Sequence, residues 1–452
     1  MMKRRVLKIF NQPHIAKKPQ HIVGAFNLIR SIMRRKTSSS WLHYLGIIAF
    51  ILGWWILAFT KASPKNQYLY SSSLPRHVNT ASSTVTVSPL FAFDRDTLLR
   101  ALNGNIPTMR KLIIEWDIDA QLLEAEGLVG IKRLSSEDFR KAQHLGRLLQ
   151  DGSPQEIDEA TQYQHVPYVV DDIGTMVDST LKSSRFLPQT YAAASILLAV
   201  APPEQIIAIP RGMRYYSQLY PNNAMNSIPF NSDRYNTEQL SLEKPELAFI
   251  SHYSDPSTVR TLKNQGIKLF TTVNVNTISQ IIDTVQRIGA VVHSPLQSQL
   301  LALFIEAAML AIDNQLLAQR KDAHSLMNLR TPLYLTYVTH FTTPSSETLT
   351  ADLIKRLGIN QTDFLTNNNF PKLKIINHEE LVTINPDCLI ISCANNILLQ
   401  ETLLATPALQ HIDAFKYGRI FFVDEHVQHS PSQYLVLAYY DIFNALMGRR
   451  ES

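Results

Sequence analysis

The pattern of apolar and polar positions changes character several times along the chain. Residues 41–60, WLHYLGIIAFILGWWILAFT, form an unbroken run without formal charge. Twenty such residues cross a bilayer core of ~30 Å at 1.5 Å rise per residue, so this run predicts a transmembrane helix or signal sequence. Residues 61–92, including YSSSLPRHVNTASSTVTVSP, are rich in Ser, Thr and Pro and read as a linker. Residues 93–165 return to helical spacing of apolar positions, in DRDTLLRALNGNIPTMRKLIIEW and SSEDFRKAQHLGRLLQDGS. A small helical module is predicted there, with solvated charged faces.

From Val166 onward, short apolar runs end in polar loops. One group is QIIAIP, ELAFIS and IKLFTTV; a second is PLYLTYVTH, CLIISC and RIFFVD. Helical segments alternate with them, the pattern of βαβ units and largely parallel sheets. Between the groups lies SPLQSQLLALFIEAAMLAIDNQLLAQRKDAH, opened by Ser294 and Pro295 and free of Gly or further Pro. Such a helix runs ~40 Å, too long for an ordinary crossover inside one sheet. The predicted fold is α/β: two lobes, residues 166–293 and 328–448, joined by one long helix over 294–327.

Two stretches repeat one pattern across the two groups. EQLSLEKPELAFIS starts at Glu238 and EELVTINPDCLIIS starts at Glu379. In each, the Glu precedes a Pro by seven positions, an acidic residue follows the Pro, and an apolar run closes on Ile-Ser.

Charge sharpens the topology. The net charge of +5 is unevenly spread, because residues 1–40 hold ten Lys or Arg and no acid, which leaves 33 basic against 38 acidic residues in the rest. The folded part is therefore mildly acidic, which argues against a nucleic-acid partner. The basic block before the apolar run instead orients it, with the N-terminus cytoplasmic and the bulk of the chain outside. Two readings stay open: a retained anchor, or a signal peptide starting at Met33 with a cleavage site at Thr60–Ala62. No Cys follows the apolar run, which excludes a lipid anchor there. The only cysteines are Cys388 and Cys393. Five extended residues separate them by roughly 16 Å, beyond disulfide reach, so a buried Cys388 and an incidental Cys393 are expected.

From about Val169 to Met447 the chain resembles the periplasmic substrate-binding proteins of ABC importers for iron complexes and cobalamin. VVDDIGTMVD resembles that domain's opening strand pair, and SRFLPQTYAAASILLAVAPPEQIIAIP its first strand, helix and second strand. KPELAFIS, LKNQGIKLF and ISQIIDTVQRIGAVV follow in family order, as do TADLIKRLGIN, NPDCLIIS and LQHIDAFKYGRIFFVD in the second lobe. The resemblance implies a binding protein without enzymatic activity or cofactor. It implies a permease with its ATPase as partners, and a metal chelate as ligand: a ferric siderophore or haem ahead of cobalamin. It also implies that Glu238 and Glu379, one per lobe, dock onto permease arginines. The alternative for each Glu is a first-turn charge that offsets the helix dipole, an argument that applies equally to Glu243 and Glu380. The chain departs from the family at Ala194-Ser195 (usually Thr-Glu), at Ala201 (usually Gly) and in PFNSDRYN, which replaces a Gly-rich turn. These departures leave the ligand open and keep a rival in play: a membrane-tethered sensor or interaction protein on a degenerate version of the fold. An enzyme using the His-bearing loops is a third, remote option.

In open parallel sheets, ligands bind beyond the carboxyl ends of the strands. First-lobe candidates there are Arg214 and Tyr215 with Arg211 and Tyr216, then Arg234, Tyr235, His252 and Tyr253. Second-lobe candidates are Tyr337, His340, Phe341, Asn395, Asn396, Glu425, His426 and His429. Arg offers bidentate contacts to carboxylates, Tyr offers stacking and a phenolic oxygen, and Tyr253 or His340 could serve as an axial ligand to haem iron. Loop Arg and Tyr are common surface residues, so the default reading of each, Tyr253 and His340 included, is a solvated or locally hydrogen-bonded loop residue. His426 and His429 lack a third ligand nearby in sequence, so no metal site is predicted. No Walker loop, GxGxxG, GxSxG or HExxH is present.

Overall fold

Asp94, Asn105, Ser135 and Ser153 each accept a backbone N–H through a side-chain oxygen, and each starts a helix. The helices are α1 (Arg95–Leu102), α2 (Ile106–Glu115), α3 (Ser136–Asp151) and α4 (Pro154–Gln164). Ser135 with Asp138, and Ser153 with Glu156, close reciprocal capping boxes that satisfy otherwise orphaned donors. A computed structural model of the chain describes residues 94–447 except 117–133, 181, 216–218, 221, 233–241, 274, 321–328, 330, 346, 360–374 and 395. The apolar run at 41–60, the linker, Arg234, Tyr235, Glu238 and Asn395 lie outside the described residues.

The first lobe opens with an antiparallel ribbon, β1 (Tyr168–Val170) and β2 (Met176–Asp178). Its sheet follows, with β3 (Phe186–Pro188), β4 (Ala208–Ile209), β5 (Phe230–Asn231), β6 (Leu247–Ser251) and β7 (Lys268–Thr272). Helices α5 (Tyr191–Val200), α6 (Asn222–Ser227), α7 (Pro256–Asn264) and α8 (Ile278–Val291) connect and follow these strands. Every pairing is parallel, with β3–β6–β7 in one ladder, β4–β5 in another, and a Phe186–Ile206 bridge between them. The strands read as near-continuous apolar runs because helices cover both faces; all five residues of β6 are buried.

One helix, α9 (Pro295–Arg320), leads out of this lobe. Its 26 residues correspond to about 39 Å of axis. Among the described residues it alone is long and apolar enough to cross a membrane, but 83% of its most apolar window is buried inside the protein. It is a core helix. Met109, Leu112, Trp116 and Leu145 of the α1–α3 region share one apolar core with Leu300, Phe304 and Leu310 of α9, and the Trp116 ring stacks on Phe304 at 5.5 Å. Fully burying a Leu or Phe side chain is worth ~1.5–3 kcal/mol, so this region is part of the domain's spine.

The second lobe comprises β8 (Pro332–Tyr337), β9 (Phe341–Thr342), α10 (Leu349–Arg356), β10 (Ile375–Ile376), α11 (His378–Ile384), β11 (Cys388–Cys393), α12 (Asn396–Leu404), α13 (Asp413–Lys416), β12 (Ile420–Asp424), α14 (Glu425–Gln428) and α15 (Leu435–Leu446). Its sheet order is β10-β9-β8-β11-β12. β8, β11 and β12 are parallel, while β9 runs antiparallel to both neighbours. Two α/β lobes with mostly parallel sheets, joined by one long helix, are thus the observed architecture. Cys388 and Cys393 are free, buried thiols.

Tertiary polar contacts tie α9 and the lobes. Asp313, fully buried in α9, accepts from Arg356 of α10 through both oxygens and from the Tyr439 hydroxyl of α15 at 2.6 Å. The α1–α2 turn touches both lobes. Asn103 Nδ2 donates to Leu219 O, Tyr434 Oη donates to Asn103 Oδ1, and Gln433 Nε2 reaches both Leu102 O and Ser195 O. A Cβ on Gly104 would lie 2.2 Å from Ala199 O, so only glycine permits this approach to α5.

Candidate functional site

The carboxyl ends of β6 and β8 each present exposed groups of the predicted set, His252 and Tyr253 on the first and His340 on the second. At the end of β6, a tight turn forms because Ser254 N donates to Ser251 O while Ser251 N donates to Ser254 Oγ at 3.0 Å. Asp255 then caps α7 and Pro256 takes its first position. This fixed turn pushes His252 and Tyr253 into solvent with their rings edge to face at 5.2 Å; Tyr253 is 71% exposed. In the second lobe, β8 and β9 form a hairpin pairing Tyr337 with Phe341, so Val338, Thr339 and His340 make its three-residue tip. His340 is exposed and its Nδ1 lies 2.8 Å from Thr339 Oγ1, while Tyr337 and Phe341 pack ring to ring at 5.0 Å.

The other candidates separate by what already holds them. Arg214 directs Nε to Asn231 Oδ1 and its terminal nitrogens to the carbonyls of Met225, Ile228 and Phe230 at 2.6–3.0 Å. Its guanidinium therefore staples the loop between β4 and β5, and the adjacent Tyr215 extends into solvent. His426 is drawn to carboxylates: Nδ1 lies 2.8 Å from Asp424 Oδ1, and Nε2 lies 3.8 Å from Glu425 Oε1. Burial pushes the Asp424 carboxyl up, but the hydrogen bonds and charge of His426, with the charge of Arg95, outweigh it and leave Asp424 below its ordinary value. Burial raises the Glu425 carboxyl, with His426 opposing and Asp424 adding to the rise. Two adjacent carboxylates are thus held in opposite directions.

Tyr191 escaped sequence reasoning. It opens α5 directly beyond β3 and remains 42% exposed, although its helix is otherwise a core helix. A Cβ on Gly212 would fall 1.7 Å from the Tyr191 hydroxyl, so only glycine lets the ring lie over that turn. Its apolar helix gave no sign of this in the sequence, because the contact with Gly212 exists only in the fold. The departures at Ala194-Ser195 and Ala201 also find places. Ser195 is buried, donates to Tyr191 O and meets the Tyr220 hydroxyl at 3.1 Å, and Ala201 ends α5 at φ −119°, where no glycine is needed.

Glu379 and Glu380 differ in their contacts. Asn377 caps α11 and closes a capping box with Glu380, which leaves the exposed Glu379 carboxylate outside the cap. In the first lobe, Glu243 pairs with Arg185 at 2.9 Å. Among the described residues, no three His, Cys, Asp or Glu side chains come together to hold a metal ion. Exposed aromatic rings and imidazoles suit stacking on, and polar contact with, a bulky ligand.

Known proteins share this fold. The chain is similar in structure to a periplasmic binding protein from Veillonella parvula DSM 2008, at 14% identity and a TM-score of 0.50, over 62% of this chain and 90% of that one. It is also similar to a possible iron-binding (periplasmic solute-binding) protein from Staphylococcus epidermidis ATCC 12228, at 19% identity and a TM-score of 0.49, over 59% and 99% of the two chains. A periplasmic heme-binding protein from Roseiflexus sp. RS-1 matches at 17% identity and a TM-score of 0.47, over 59% and 99%. No curated protein matches in sequence. The family model for periplasmic binding proteins matches residues 190–427, from the cap of α5 to the third residue of α14 and through both lobes and the linking helix. The chain therefore belongs to the periplasmic binding protein family.

Proposed function

We propose that this chain is the substrate-binding component of an ABC importer, with no chemistry of its own. It captures a metal chelate, a ferric siderophore or haem ahead of cobalamin, between its lobes and delivers it to an inner-membrane permease and its ATPase. The observation that carries this reading is the matched placement of His252 and Tyr253 on one lobe and Tyr337 and His340 on the other, at strand carboxyl ends in both. Aromatic faces bind flat ligands, and Tyr or His can coordinate iron. Tyr215, Arg234, Tyr235, Asn395 and His426 complete the proposed contact set, with Arg214 holding the loop that carries Tyr215.

In this reading the chain acts in the periplasm, held at the inner membrane by residues 41–60, and Glu238 and Glu379 dock on the two permease subunits. Paired carboxylates steer encounter with a two-fold partner. The freedom of Glu379 from the α11 capping box supports that role. The test is ligand uptake by cells that carry the double variant Glu238→Arg/Glu379→Arg in place of the native chain. Uptake is expected to disappear while ligand affinity stays unchanged; undiminished uptake would falsify docking through these residues.

A second reading, a membrane-tethered sensor or interaction protein on this fold, draws on one observation. The α1–α2 turn is hydrogen-bonded to both lobes through Asn103 and Leu102. A turn so placed can report lobe position toward the N-terminal segment. Full uptake-deficient behaviour with retained ligand binding in the native chain would favour it.

A further inference from the structure

Single exposed apolar side chains are ordinary on soluble proteins, whereas clusters mark contact surfaces. Tyr163, Val166, Tyr168, Val170, Ile173 and Met176 are all exposed and fall within one short segment at the β1–β2 ribbon. The register puts Tyr168, Val170 and Met176 on one face. Val170 pairs with Met176 and Tyr168 with Asp178, while the intervening Val169 and Val177 point into the core. Ile173, 61% exposed, sits at the tip.

The tip is built, not loose. Asp171 accepts Ile173 N and Thr175 N through Oδ1 and Thr271 N through Oδ2 at 3.0 Å. Asp172 accepts Val273 N at 2.8 Å and pairs with Arg287. Thr271, Thr272 and Val273 lie at the carboxyl end of β7, and His252 N donates to Thr272 O. The apolar tip therefore stands at the same end of the first lobe as His252 and Tyr253.

We infer that the β1–β2 ribbon is a lipid-contact element whose tip and outer face enter the interfacial layer of a phospholipid bilayer. The inference rests on the proposed anchoring of the chain by residues 41–60. Only a Ser/Thr/Pro-rich stretch of about 30 residues separates the proposed anchor from the first helix of the domain in sequence. The end of the lobe that offers ligand to a permease must face that membrane, and the ribbon tip stands at that end. Tyrosines suit the headgroup layer, and Ile, Val and Met suit the acyl boundary beneath it.

The test uses the full chain in vesicles of phosphatidylethanolamine and phosphatidylglycerol, with or without bromine on the acyl chains. Because both native cysteines are buried, a fluorophore is placed through Ile173→Cys, and through Tyr417→Cys as a control. Tyr417 is exposed just before β12, at the amino end of its sheet. Brominated lipid is expected to quench the label at 173 by about half or more, since interfacial insertion reaches ~5–10 Å, and to leave the label at 417 unchanged. A label at 173 shielded from aqueous iodide but unquenched by brominated lipid assigns the face to a protein partner or second copy and overturns the inference. Carbonate extraction reads the anchor separately. An unquenched label on a carbonate-resistant chain sinks the ribbon contact alone, and on a released chain it sinks both. Quenching on a chain that carbonate then releases keeps the ribbon contact without the anchor.

Discussion

Lys244 and Asn385 both occupy the left-handed backbone region, at φ 45° and 48°, and each directly precedes the proline that leads into a strand. The acidic residue after each proline does the same job in its lobe. Glu246 accepts Ser184 N at 2.6 Å and Asp387 accepts Thr331 N at 3.1 Å, each joining the start of a strand to the residue at or near the start of its parallel neighbour. The repeat at Glu238 and Glu379 therefore encodes one structural step twice: left-handed residue, proline, acidic tie, buried strand.

Asparagine tolerates the left-handed region far better than lysine does. Lys244→Asn is expected to raise stability by a few tenths to about 1 kcal/mol. Asn385→Ala is expected to cost about 1–2 kcal/mol, because it also removes the contacts of Asn385 with Asp413 N and Oδ2. Urea denaturation reads both, and equal or reversed signs would contradict the shared geometry.

The Asp313–Arg356 pair carries a larger stake, since Asp313 is wholly buried in the linking helix and Arg356 nearly so. Arg356→Ala leaves that carboxylate without its counter-charge and is expected to cost about 3–5 kcal/mol. Asp313→Leu with Arg356→Met, which removes both charges, should recover much of the loss. A single-variant cost below about 1 kcal/mol is inconsistent with a buried, charge-dependent tie.

Asp424 and Glu425 predict opposite pH signatures. The Asp424 carboxyl is lowered on folding, so its contribution is present above about pH 4 and is lost as pH falls through the folded value. Asp424→Asn should therefore destabilise at pH 7, and the difference should shrink as pH falls below about 4 and vanish only below the folded value. Glu425 is raised, so its charged form costs stability at neutral pH and Glu425→Gln should stabilise at pH 7, the difference vanishing well below about pH 4.5. Each effect is about 1 kcal/mol or less, because both side chains keep solvent contact. Denaturation midpoints across this pH range check the signs.

Burial pushes the Cys388 thiol up to about 12, so at pH 8 it holds almost no thiolate. The native chain is expected to show no reaction at Cys388 with a thiol reagent, and both cysteines should react once it is unfolded. Fast native labelling at Cys388, located by mass spectrometry, would contradict the buried β11 position.

The architecture was legible where pattern suffices. An uninterrupted apolar run with Ser-Pro at its start marked the linking helix, and the alternation of short apolar runs with helical segments marked both mostly parallel sheets. The capping box of Asn377 and Glu380 is readable from their spacing, which is why Glu379 could be separated from its neighbour once α11 was seen. Arg214 was not legible in the same way. Its partners are main-chain carbonyls in the following loop, and carbonyls leave no mark on residue identity. Tyr191 looked like part of a core helix, and its exposure depends on the approach of Gly212, a tertiary fact. The ribbon face went unnoticed because alternation in three-residue strands is too short to show which side is covered.

The most direct test of a metal-chelate binding protein is a titration of the full chain with haem, with catecholate and hydroxamate ferric siderophores, and with cobalamin, followed by ligand absorbance. The account predicts saturable one-to-one binding of haem or a ferric siderophore. Tyr253→Ala and His340→Ala, one from each lobe, should each weaken it at least about tenfold, or about 1.4 kcal/mol. Absence of saturable binding by any of these ligands would contradict the account.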